Sequence, residues 1–216
     1  MEINNTGLGL IKATIERVQN EKPLFNSALK KLVNSSEKEL EDFLKRRLED
    51  KNENDILRLI SGGKKLPIKA SSGKTTIAVS KKIFKSGIDF DFVNWELDKS
   101  GPATAEILSD VYEIIRDATF KQIFTAFPAK RDDLIMMQDQ IIDFCKTHPT
   151  WLRQDGAATF FLTKKDWNAD VSDDNLFVVY VHVYSDGLGI SAHRFEDDGV
   201  WDARCLHRVV IPQIIF

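Results

Sequence analysis

Three of the chain's four histidines, His182, His193 and His207, lie near its C-terminal end, and an imidazole is the side chain whose ordinary pKa makes it a base or a metal ligand at neutral pH. Together with Arg194 they define a candidate catalytic site, with Asp186 in the turn between the first two and Arg208 beside the third. The chemistry such a set would support is hydrolysis or nuclease action. The competing reading of the same four residues is a row of ordinary half-exposed sheet positions.

Other polar strings are less specific. Asp197, Asp198 and Gly199, followed by Trp201 and Asp202, could hold a cation but fit a tight turn equally well. Asn168, Asp170, Asp173 and Asp174 are reminiscent of a calcium loop, yet the obligatory glycine position is Asp173 and the twelfth-position Glu is Val179. Ser72-Gly73-Lys74-Thr75-Thr76 contains the Gly-Lys-Thr ending of a phosphate-binding loop. The glycine that should precede it by five positions is Ile68, and Pro67 interrupts the strand ahead of it, so a solvent-exposed turn is expected. No Gly-x-Ser-x-Gly, His-Glu-x-x-His or Cys-x-x-Cys occurs, and neither Cys145 nor Cys205 belongs to a metal clip. No metal, cofactor or disulfide framework is therefore expected.

Charge supplies a second candidate. Residues 1–85 hold 18 Lys and Arg against 11 Asp and Glu, whereas residues 86–216 hold 12 against 22. The window 56–85 has eight basic residues and no acid: Arg58, Lys64, Lys65, Lys69, Lys74, Lys81, Lys82 and Lys85. Such a run can neutralise phosphates, which makes Lys64, Lys65, Lys69, Lys74, Lys81 and Lys82 candidate nucleic-acid contacts. Phe84 is the window's one aromatic residue, so the stacking platform usual for single strands is missing. Docking on an acidic partner surface is the alternative.

These candidates need elements to position them. Leu8, Ile11, Ile15 and Val18 recur at helical spacing over 5–20, a second short helix is read over 24–33, and Ser36 with Glu39 forms a capping box ahead of Leu40, Phe43, Leu44 and Leu48. Ile56 to Ile60 extend the helical theme until Gly62 and Gly63. Residues 62–75 have linker composition, broken by a short strand at 66–69; whether 76–84 is helix or strand stays open. Residues 87–98 read as a loop. Ile107, Leu108, Val111, Ile114 and Ile115 predict a helix introduced by Pro102 and Thr104, Phe120 to Phe127 a further helical piece, and Ile141, Ile142 and Phe144 a helix starting near Gln138 and closed by Pro149.

From Gly156 the period changes to two. Strands are expected at 159–164, 176–184, 188–195 and 208–211, the middle pair forming a hairpin about Ser185, Asp186 and Gly187. In the first hairpin strand, alternation sets Leu176, Val178, Tyr180, His182 and Tyr184 on one face and Phe177, Val179, Val181 and Val183 on the other, taken as the core. His182 should face a residue near 190. The architecture expected is α+β: a helical module over 1–61, a linker-like segment over 62–75, and a domain over 76–216 whose helices pack on a small antiparallel sheet of three or four strands within 157–212.

The chain's 216 residues suffice for a sizeable core, and 14 Phe against 3 Tyr point to rings used for packing. The longest apolar run, 176–181, is far short of the roughly 20 residues a spanning helix needs, and residues 1–20 do not read as a secretory signal. A cytoplasmic protein with no membrane partner is expected. Over residues 66–213 the chain resembles a group of uncharacterised bacterial hypothetical proteins, on the strength of Ile88-Asp89 with Asp91-Phe92, Trp151-Leu152-Arg153 with Asp155-Gly156, Phe160-Phe161-Leu162, and His207-Arg208-Val209-Val210 with Pro212-Gln213. That resemblance implies no activity and no site residues. The reading favoured by the sequence is a non-enzymatic binding or interaction protein with a protein partner, ahead of nucleic-acid binding through 56–85 and of a hydrolase or nuclease using the histidines.

Overall fold

Runs of β-branched and aromatic residues prefer the pleated, extended backbone, where their side chains pack against both neighbours and the layers above and below. The computed structural model describes residues 56–62 and 64–213, and the strands at its centre coincide with such runs. They are β1 (Leu57–Leu59), β2 (Leu66–Ile68), β3 (Gly87–Ile88), β4 (Ile107–Ile114), β5 (Ala158–Lys164), β6 (Leu176–Tyr184), β7 (Gly187–Arg194) and β8 (Arg208–Pro212). Three α-helices accompany them: α1 (Asp91–Asn94), α2 (Phe120–Thr125) and α3 (Gln138–Thr147). All eight strands belong to one sheet in the order β1-β4-β8-β5-β6-β7-β3, with β2 also paired to β4.

This corrects the expected architecture. In place of a small antiparallel sheet of three or four strands beside a helical module, the described residues form an eight-stranded mixed sheet. β5 runs parallel to β8 and β3 parallel to β7, while the other pairs are antiparallel. Three strands come from stretches read otherwise: β1 from the expected end of the last N-terminal helix, β3 from the expected loop over 87–98 and β4 from an expected helix, while β2 falls on the short strand expected at 66–69 within the linker-like segment. The helices expected over 5–20, 24–33 and after Ser36 lie outside the described residues.

The largest single reversal is 107–115. Ile107, Leu108, Val111, Ile114 and Ile115 mimic a helical stripe, but the segment is β4, bonded to β8 along one side and to β1 and β2 along the other. The physical reason is burial on both faces. Val111 packs into one core and Tyr112 and Ile114 into the other, so apolar residues appear on both phases of the alternation and the period of two is blurred.

The same two-sidedness holds throughout the sheet's centre. Phe161, Val179, Val181 and Val210 enter one core, beneath α3, α1 and the 3₁₀ helix Ile77–Val79. Phe160, Leu162, Val178, Val209 and Ile211 enter the other, beneath α2. The valine face of β6 is therefore one of two buried faces. Both β6 and α3 begin where the sequence rhythm placed them, and β6 and β7 join through a two-residue turn in which Tyr184 pairs with Gly187.

Candidate functional site

The β6–β7 register decides where the histidines go. His182 pairs with Gly189 and Val178 with His193; residues directly opposite in an antiparallel pair share a face, so both imidazoles lie on the α2 side of the sheet. His207, just ahead of β8, stacks on Phe160 of the same face at 5.3 Å between ring centroids. All three histidines thus gather on one face. Arg194 does not join them: it pairs with Phe177 on the opposite face, where its guanidinium lies 5.4 Å from the centroid of Trp95.

Aromatic rings separate the three imidazoles. Tyr180 stands between His182 and His193, with centroids at 5.2 and 5.0 Å, and Trp201 stands between His193 and His207, at 6.3 and 5.0 Å. Each Nδ1 is occupied by its own local partner. Ala158 N–H donates to His207 Nδ1 at 2.9 Å, so this ring is neutral with its proton on Nε2, and burial lowers its pKa further. His182 Nδ1–H donates to the carbonyl of Gly156 at 3.0 Å. His193 Nδ1 lies 2.9 Å from Asp197 Oδ2; an ionised carboxylate can only accept, so Nδ1 carries a proton and donates it.

His193 opens onto a cavity. A pocket of about 350 Å³ is lined by His193, Phe120, Trp201, Asp197, Asp198 and Val200. Each wall has a local cause. Phe120 is the first residue of α2, fixed by a capping box in which Thr119 accepts from Gln122 N–H and the Gln122 side chain accepts from Thr119 N–H. Trp201 is stitched to Ala118 by a pair of backbone hydrogen bonds, and Ala203 N–H donates to Asp117 Oδ1 at 2.8 Å. The 197–200 segment closes the remaining side. Asp202, just outside, caps the 3₁₀ helix Ala203–Cys205, and its hydrogen bonds from Arg204 bring its pKa down to about 2.

No family model, no curated protein and no solved structure matches this chain. The chemistry of the pocket must therefore speak for itself. Its polar side chains include the two carboxylates of Asp197 and Asp198 and the imidazole of His193. Its apolar walls are the rings of Trp201 and Phe120, 5.2 Å apart. Among the described residues no three His, Cys, Asp or Glu side chains stand where they could share one metal ion.

Sequence reasoning named His193 but paired it with Arg194 and the other histidines. It missed Asp197 as the partner, having read 197–199 as a tight turn or a cation-holding string, and it missed Trp201 and Phe120 as walls. The His193–Asp197 spacing of four was a usable signal, because a turn directly after a strand folds the chain back within reach of its last residues.

The basic window runs the width of the sheet, from β1 at one edge to Lys85 just ahead of β3 at the other. Arg58 is neutralised by Glu113 at 2.6 Å. Lys74 sits in a turn where Ser72, Lys74 and Thr75 are exposed as expected but the backbone is docked: Gly73 is buried, its N–H donates to Asp139 Oδ2 at 2.8 Å, and Ser71 Oγ donates to the same oxygen at 2.5 Å. The Gly-Lys-Thr string is thus bound to the start of α3. Among the described residues no helix is long and apolar enough to cross a membrane.

Proposed function

We propose that this is a cytoplasmic, non-enzymatic binding protein whose His193 pocket takes a small amine in its ammonium form attached to a flat apolar body. The observation that carries the reading is that the pocket combines aromatic rings with the carboxylates of Asp197 and Asp198. A cation is attracted to the face of Trp201 and gains further from the carboxylates, whereas an anion would meet them without a compensating base. The apolar body lies against the wall that Trp201 and Phe120 make by packing on each other, as in most small-molecule sites.

A probe pair of equal shape and opposite charge tests this. Phenethylammonium titrated into the full-length protein should bind saturably, with a Kd on the order of 1 mM for so small a probe. Phenylacetate should bind at least tenfold more weakly. Equal or tighter binding of phenylacetate, or phenethylammonium binding unchanged in Trp201→Ala, would refute the proposal.

A second reading, general-base hydrolysis by His193, draws on the same Asp197-oriented imidazole. It predicts that turnover of an activated ester falls to the level of free imidazole in His193→Asn. Nucleic-acid binding through the basic window has less support, because Arg58 is already paired and the cations are strung across the whole sheet.

A further inference from the structure

We infer that the groove between the 3₁₀ helix Ile77–Val79 and α1 docks an acidic amphipathic segment of a partner protein. Three large apolar side chains are presented to solvent here: Phe90 is 83% exposed, Val79 73% and Val93 57%. An exposed Phe with no polar atom is costly to leave in water, and three such residues on two elements packed against each other make one patch, unlike a scatter of single exposed side chains.

The patch is concave. A cavity of about 360 Å³ lies between Phe90 and Val93 on one side and Ala78 and Lys81 on the other, floored by Phe84, which is itself buried. It has room for one large apolar side chain entering from outside. The floor is firm because Phe84 belongs to the same core as Phe92 and Ile77.

Cations rim it. Lys81 and Lys85 line the groove and Lys82 is exposed beside them, and none of the three forms an ion pair among the described residues. The one carboxylate among the lining residues, Asp89, already accepts the backbone N–H of Asp91 at 3.1 Å at the start of α1. Apolar centre and positive rim together select an occupant with apolar residues on one face and Asp or Glu flanking them, the pattern of an acidic amphipathic helix laid in a groove. A flat anionic membrane would satisfy the lysines but leave the cavity unfilled. This assignment is independent of the His193 pocket, which lies on the other face of the sheet.

The test is selection from a phage-displayed library of random 16-residue peptides on the full-length protein, with counter-selection on Phe90→Asp and on the double variant Lys81→Glu, Lys85→Glu. All three positions are exposed, so the variants keep the fold, which circular dichroism verifies. The expected result is a consensus with apolar residues at helical spacing and an excess of acids. A synthetic consensus peptide should lose at least tenfold in affinity for each variant and weaken as salt rises. A library that yields no binders, binders indifferent to both variants, or a basic consensus would overturn the inference. So would preferential binding to vesicles of phosphatidylcholine and phosphatidylserine that disappears in the same variants, which would assign the face to a membrane.

Discussion

At the scale of single residues, the three histidines share a face but not a task. His207 is held neutral by the Ala158 N–H on its Nδ1 and by burial, which lowers its pKa. A pKa lower in the folded than in the unfolded chain means the unfolded chain binds the extra proton first. Stability is therefore full above about 6.5, the ordinary imidazole value, and is lost as the pH falls below it toward the folded-state value. In His207→Asn, whose amide oxygen can still accept from Ala158, the loss between pH 7 and 5 should disappear; urea midpoints measured across that range decide it. A midpoint falling identically in both proteins would assign the acid sensitivity elsewhere. His193, by contrast, is oriented by Asp197 beside open space. Asp197→Asn leaves an oxygen that can accept from Nδ1–H but removes the carboxylate charge at the pocket, and binding of phenethylammonium should weaken by about 1 to 2 kcal/mol, the worth of a charge-assisted hydrogen bond. Calorimetric titration reads this directly. The residue types of the site were legible in the sequence, and the spacing of four carried a signal for Asp197; Trp201 was not legible as a wall, because it acquires that place only when the chain after β7 folds back onto Ala118.

At the scale of elements, apolar residues on both phases did not hide β5, β6 or β8, but they did hide β4. β6 has a polar end, with His182 and Tyr184 spaced by two, and its register with β7 set His182 against Gly189, next to the expected position 190. A Cβ at 189 would lie 2.7 Å from the ring of Tyr184, so the glycine is what lets that tyrosine cross the strand. β4 carries apolar groups on both phases, and two interleaved periods of two imitate one of 3.6. The segment taken for a linker, 62–75, has glycine and serine for a reason other than flexibility. Gly73 adopts φ +71°, and a Cβ there would stand 2.1 Å from the carbonyl oxygen of Pro102. Gly73→Ala should destabilise the protein by roughly 3 kcal/mol or more, since neither the left-handed backbone nor the facing carbonyl can yield cheaply. Asp139→Ala, which strips acceptors from Ser71 Oγ and Gly73 N–H, should cost about 1 to 3 kcal/mol. Denaturation midpoints for the two variants test whether this turn is part of the fold; a loss below about 0.5 kcal/mol in both would return it to the status of a linker.

At the scale of the whole sheet, the strand nearest the C-terminus is central. β8 lies between β4 and β5, bonded antiparallel to one and parallel to the other, and Val209, Val210 and Ile211 are fully buried. Its partners on the β4 side are about a hundred residues earlier in the chain, so the sheet cannot close until nearly all of it has been made. Such non-local pairing is slow to form, because loop entropy is lost before contacts are gained. Sequence rhythm found β8 as a strand but could not find its position, since strand order depends on which distant partner it meets. The position has a measurable consequence in hydrogen exchange. Amides bonded on both sides of β8 should open only when the whole sheet unfolds, while those of β3, two residues paired to β7 alone, should exchange through local opening. Mass spectrometry of deuterium uptake should therefore place peptides spanning 208–212 among the slowest in the protein and peptides spanning 87–88 among the fast ones. A chain terminated before Arg208 should lose its cooperative thermal transition altogether, because β1, β2 and β4 would then share no hydrogen bonds with β5, β6 and β7. If that shortened chain still melted cooperatively near the temperature of the intact protein, the central place of β8 would be wrong.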